Sequence, residues 1–169
     1  MYGWNPPHKP SVVTPERKSS STKAYALELW LNARSWREDA DIASHPYAIA
    51  KGIESAGGAG RATASGKIIG KDADCLIIPI RDIQTEKVQG VQAINPEGKK
   101  QTFGNVSGGG LILGNTLDKS IPWYVCEGWA SAYSMVFHHL HGNAVCGASF
   151  GKSNQDKLAR AMADKYAPD

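Results

Sequence analysis

Glu127 is the residue best placed for chemistry. An apolar run from Ile121 to Cys126 precedes it, Gly128 follows it, and helix formers begin at Trp129. Such a run is expected of a strand buried on both faces, and open α/β sheets gather their ligands just past the carboxyl ends of these strands. A carboxylate there can take or give a proton, and the N–H groups from Gly128 onward can hold phosphate. Capping of the helix is the alternative use of the same carboxylate. Gly151-Lys152-Ser153 stands at the next strand–helix junction and ends like a phosphate-binding loop, which also needs a glycine five positions before Gly151. That position is Cys146, so Lys152 is read as a single cation on the rim it shares with Glu127, or as a solvated lysine.

Other candidates are more diffuse. His138 and His141 fall three apart on one helix face, which suits a metal, while favourable imidazole placement at a helix C-terminus explains them equally. Arg81 beside Asp82, and Lys99 beside Lys100, could line a nucleic-acid path with Trp123, Trp129 or Phe103 as stacking surfaces; a soluble hairpin surface accounts for them too. Trp30 and Trp36 are expected in the core. Cys75, Cys126 and Cys146 are odd in number and form no C-x-x-C pair, which points to reduced thiols rather than a zinc ribbon or a disulfide framework.

The elements that must position these residues can be read from periodicity. Residues 1–22 contain Pro6, Pro7, Pro10 and Pro15 and end in Ser19-Ser20-Ser21-Thr22, the composition of a linker or tail. Thr22 or Ser21 can cap a first helix reaching about Arg34, and Ser44 to Gly52 carries a cap candidate, a first-turn proline and a terminal glycine, hence a short helix. Gly57 to Gly66 is expected to be a loop. From Cys75, runs around residues 76–82, 88–94 and 101–103 predict an antiparallel meander, with Pro79 requiring an edge or a bulge. The glycines of residues 104–114 imply a tight backbone passage. The last fifty residues read as strand, helix from Trp129 to about His141, strand at 143–148, and a final amphipathic helix capped by Ser153 or Asn154. This is the opening of a parallel sheet, and it leaves an unpaired strand edge near residues 143–148. The fold class is therefore α/β, or α+β overall. A helix-plus-antiparallel-strand unit at 23–118 is followed by an incomplete Rossmann-like βαβα unit at 119–169.

The composition narrows the function classes. The chain has 169 residues, 41% of them hydrophobic and 21% charged, with Gly and Pro together supplying 27. This fits a folded domain and excludes disordered or collagen-like chains. Its longest apolar runs fall far short of the roughly 20 residues of a membrane helix. No apolar stretch follows a basic start at the N-terminus, so a cytoplasmic location is expected. The net charge of +3 resides in residues 1–23, which leaves the rest balanced and without an overall basic footprint for nucleic acid.

Tyr124-Val125-Cys126-Glu127-Gly128-Trp129-Ala130-Ser131-Ala132 resembles the first motif of the toprim domain of bacterial-type primases and topoisomerases. His45-Pro46-Tyr47, Lys51-Gly52, Pro79 to Asp82, Gln92 to Lys100 and the glycines of 104–114 resemble the segment that precedes it in phage and plasmid primases of the TraC-like kind. The resemblance spans residues 24–169. It implies a DNA-replication primase that makes RNA primers on single-stranded DNA from nucleotides, with a replicative helicase or other replication proteins as partners. Glu127 would act as acid or base, and Lys152, Arg81, Lys99, Lys100 and Gly128 as phosphate or nucleic-acid contacts. Magnesium is implied as cofactor, but the later D-x-D that binds it in the family is not found after Glu127 here. Without that electrostatic clamp, several kcal/mol of barrier lowering are lost and this stretch alone is expected to be inactive as a polymerase. The alternative is a non-catalytic module that binds nucleic acid or protein on the same scaffold.

Overall fold

The structure is a computed structural model that describes the backbone of residues 13–167 and the side chains from Thr22 onward. Five helices (α1 Val13–Asn32, α2 Asp39–Ala43, α3 Pro46–Lys51, α4 Trp129–Tyr133, α5 Gln155–Tyr166) accompany seven strands (β1 Gly60–Gly66, β2 Gly70–Asp82, β3 Val88–Ile94, β4 Lys100–Gly104, β5 Gly109–Leu113, β6 Trp123–Cys126, β7 Val145–Ala148). The strands form one sheet in the order β4-β3-β2-β5-β7-β6, with β1 beside the first part of β2. Only β6 and β7 are parallel; every other neighbouring pair is antiparallel. The α+β expectation holds, and the two sequence units at 23–118 and 119–169 share this single sheet.

Alternation along the strands sorts the core into two faces. Leu76, Ile78, Ile94, Leu111, Leu113, Cys146 and Ala148 meet Ile42, Tyr47, Trp129, Ala132 and Tyr133 from α2, α3 and α4. On the other face, Cys75, Ile77, Val91 and Ala93 lie under Ala26 and Leu29 of α1, and Val145 lies under Leu158 and Met162 of α5. Gly110 and Gly147 let α5 approach: a Cβ on Gly147 would meet Met162 Sδ at 2.6 Å, and one on Gly110 would meet Leu158 at 2.8 Å.

The structure departs from the sequence reading at several points. Of the expected linker, residues 1–12 lie outside the described residues, and α1 already begins at Val13. Pro15 falls in its first turn, where the missing N–H has no intrahelical partner to lose. The expected loop at Gly57–Gly66 is largely β1, paired with β2 from Gly60↔Ile77 to Gly66↔Gly70. Its small residues carry no apolar alternation, so pairing depends on the β2 backbone. β2 is an interior strand rather than an edge, and Pro79 sits in a gap on one side of it: β1 reaches only Ile77, β5 pairs no earlier than Arg81, and the β2–β3 register shifts just beyond, between Ile80 and Arg81. The predicted open edge at 143–148 is wrong, because β5 covers β7 and the edge falls on β6. Nor is β6 buried on both faces: Trp123 and Val125 pack against the α5 cluster, while Tyr124 is 39% exposed.

α3 is capped not by Ser44 but by His45, which is fully buried. The Tyr47 N–H donates to His45 Nδ1 (3.1 Å), so Nε2 carries the proton and donates to the Asp74 carbonyl (2.8 Å). This fixes a neutral ring. Burial lowers its pKa below 6.5, against smaller opposing effects from Asp74. Below about pH 6.5 the unfolded chain gains a proton that the folded ring resists, so stability falls as pH falls. The urea midpoint should decline between about pH 7.5 and pH 5.5, and His45→Asn should flatten that decline; an equal slope in the variant would assign it to other groups.

Candidate functional site at the carboxyl rim of the parallel strands

β6 and β7 run side by side in the register Cys126↔Ala148, and both end at one rim. Two backbone bonds tie their outgoing loops: Ser149 N–H to the Cys126 carbonyl (2.9 Å) and Phe150 N–H to the Glu127 carbonyl (2.8 Å). Phe150 adopts φ 59°, the left-handed region that costs a non-glycine residue roughly 1–3 kcal/mol and that clusters at functional turns. Glu127 is exposed and, among the described residues, its carboxylate has no hydrogen bond or ion pair. It does not cap α4; Gly128 holds that position without a side-chain bond. Lys152 is likewise exposed and unpaired, at the start of a short 3-10 turn of residues 152–154. The rim thus presents a free carboxylate and a free ammonium from adjacent loops. Gly128 has φ −111°, and a Cβ there would meet nothing nearer than Ser131 Oγ at 4.0 Å, so a side chain is sterically tolerated.

Asn154 holds this rim in place, a role that sequence reading gave to helix capping. It is 5% exposed and caps nothing with its side chain. Instead Nδ2 donates to the Gly109 and Ser149 carbonyls (both 2.9 Å) while Oδ1 accepts from Gly108 N–H (2.8 Å). The glycine passage, the end of β7 and the start of α5 converge on this one amide. Polar residues before an amphipathic helix suggest a cap from sequence, and nothing local reveals a partner forty-five residues away.

Arg81 shares the rim's end of the sheet. It pairs with Gly110, and the next row runs Leu111, Ala148, Cys126, which places it three strands, about 14 Å, from the start of the Glu127 loop. Lys99 and Lys100 lie at the other end of β3 and β4, where Lys100 Nζ sits 5.6 Å from the Tyr47 ring centroid and Lys99 is 4.0 Å from Glu97. The structure does not bring them to Glu127. Nor do the expected stacking surfaces serve. Trp129 is fully buried with Nε1 donating to the Gly57 carbonyl at 2.8 Å, Phe103 is 7% exposed, and Trp123 packs against Tyr166. Trp36, expected in the core, is instead 55% exposed.

The histidines follow an unusual helix. α4 continues through residues 134–139 as a π-helical segment, and His138 Nε2 is bound 2.8 Å from the Gly52 carbonyl. Cys126 and Cys146 bring their sulfurs to 3.5 Å. The Cys146 S–H donates, which lowers the Cys126 pKa and raises that of Cys146. Among the described residues no three His, Cys, Asp or Glu side chains converge as a metal site. The donor set therefore does not fit the magnesium that the resemblance implies. A cavity of about 670 Å³ lies elsewhere, against β1. Its charges are structurally committed: Arg61 grips Asp74 bidentately at 2.8 and 2.6 Å, and this pairing holds the Asp74 carboxyl below its ordinary range.

Compared with protein-family models, with curated proteins and with solved structures, the chain matches none. No helix among the described residues is long and apolar enough to cross a membrane.

Proposed function

We propose that this chain is part of a cytoplasmic DNA primase of the toprim kind, which handles single-stranded DNA and nucleotides, with Glu127 as the acid or base at the reacting hydroxyl. The observation that carries the reading is the free Glu127 carboxylate, held where a parallel strand hands over to a helix, with the loop that leads to the free Lys152 bonded to its own. A base must reach within about 3 Å of the proton it removes, and an exposed carboxylate on an anchored loop can meet an incoming hydroxyl. Lys152 offers charge to a phosphate arriving at the same rim. Replication proteins such as a helicase are the expected partners. No step is assigned to magnesium, since no residues that would hold it are grouped among the described residues.

Among the described residues no three His, Cys, Asp or Glu side chains group as a metal site, which favours a second reading, a binding module that keeps the scaffold without the reaction. The native protein, supplied with ribonucleotides, magnesium and a single-stranded template, separates the two. Short RNA made on single strands and not on duplex supports the primase. DNA binding with no synthesis supports the module, and neither activity would end both readings.

A further inference from the structure

Trp30, on the last turns of α1, carries two cations. The Arg37 guanidinium carbon lies 3.6 Å from the indole centroid and that of Arg81 lies 5.5 Å away. Like charges brought together need a reason, and Arg37 feels the cost: burial first, then the Arg81 charge, lowers its pKa. Arg61 and Lys165 each have a carboxylate partner, whereas neither Arg37 nor Arg81 has one among the described residues. Their hydrogen bonds to protein are few. Arg37 Nη2 donates to the Trp30 carbonyl at 2.5 Å and Arg81 Nη1 to the Glu86 carbonyl at 2.9 Å. Arg37 Nε is buried with no acceptor. A guanidinium has five N–H groups, so most donors of the pair are uncommitted. Beside Arg37 stands Trp36, a 55% exposed indole that no core contact explains.

A planar fork of donors stacked on an aromatic ring is suited to phosphate, and two such forks with a free indole alongside suit a phosphodiester followed by a base. We propose that Arg37 and Arg81, braced by Trp30, grip the backbone of a single-stranded nucleic acid and that Trp36 stacks one of its bases. This rests on the preceding reading that the chain handles single-stranded DNA. It adds where the strand is held: at the same end of the sheet as Glu127, three strands across. Trp30 works through the arginines and is a positioning residue.

The test measures fluorescence anisotropy of a labelled oligothymidylate against salt concentration, using the full chain. Each phosphate contact on a single strand contributes about −0.7 to the slope of log K against log salt. Replacing both arginines (Arg37→Gln with Arg81→Gln) should make that slope shallower by about 1.4, while Arg37→Lys with Arg81→Lys, which keeps both charges, should largely retain it. Trp36→Ala should weaken binding about five- to a hundredfold at constant slope. The pair Lys99→Gln with Lys100→Gln, at the far end of the strands, should leave the arginine-dependent change in place. An unchanged slope in the glutamine pair, with wild-type binding intact, overturns this site and leaves the primase reading standing. Thymidine monophosphate binding as tightly as the oligomer overturns the polynucleotide assignment. No oligonucleotide binding at all by the wild-type chain overturns both.

Discussion

Glu127→Gln should reduce primer synthesis by the native protein about a hundred- to ten-thousandfold, the span that a positioned general acid or base ordinarily supplies. Glutamine keeps the size and the hydrogen-bonding ends of glutamate but neither takes up nor releases a proton at neutral pH. Because the carboxylate is exposed and unpartnered, stability should stay within about 0.5 kcal/mol of wild type, as for surface changes away from structured contacts. Affinity for single-stranded DNA should hold or rise slightly, since a negative charge leaves the rim. The informative result is therefore a split, with activity lost while melting temperature and DNA binding are kept. Full activity in the variant would remove Glu127 from the chemistry and pass the scaffold to the binding-module reading.

The largest effect on stability is expected at Trp129, the residue next but one to Glu127. Its indole is fully buried at the meeting of α4 with the sheet, 6.2 Å from the Tyr133 ring centroid, and its N–H is spent on the Gly57 carbonyl. Trp129→Ala should cost about 3–5 kcal/mol, from lost burial and the cavity left behind. For a chain of this length, each kcal/mol lowers the melting temperature by about 2–4 °C. Trp129→Phe separates the terms: it keeps most of the apolar volume but strands the Gly57 carbonyl, a loss of about 1–3 kcal/mol. Calorimetry on the two variants would check this. A drop of under about 3 °C for the alanine variant would contradict the packing of α4 on the sheet. Trp129 was read first as a stacking surface for nucleic acid, and its burial assigns it to holding the rim that carries Glu127.

Local chemistry was enough for much of this molecule. The strand–Glu–Gly–helix passage at 123–129, the meander from β2 to β4, the Pro46-to-Gly52 helix and the amphipathic α5 all follow from period, cap and breaker signals that act over a few residues. That β6 and β7 end on one rim also followed, because two parallel strands joined by a helix must end on the same side.

What the sequence could not decide were the pairings between distant segments. β5 joins β7 across some thirty-five residues, moving the free edge to β6, because Gly110 and its neighbours admit a backbone approach that no local pattern announces. β1 exists only because β2 offers it hydrogen bonds. The aromatic residues exchanged roles for the same reason: Trp129 went inside and Trp36 outside, since exposure is set by what else reaches a site rather than by residue type. Arg37 and Arg81, forty-four positions apart, meet on Trp30 only when α1 lies across the sheet. The sequence by itself determined the local elements and the residue that could do chemistry, because those depend on short-range backbone and period. Tertiary structure alone decided which edges are open, which rings are buried and which charges stand together, because those energies arise between groups that the chain keeps far apart until it folds.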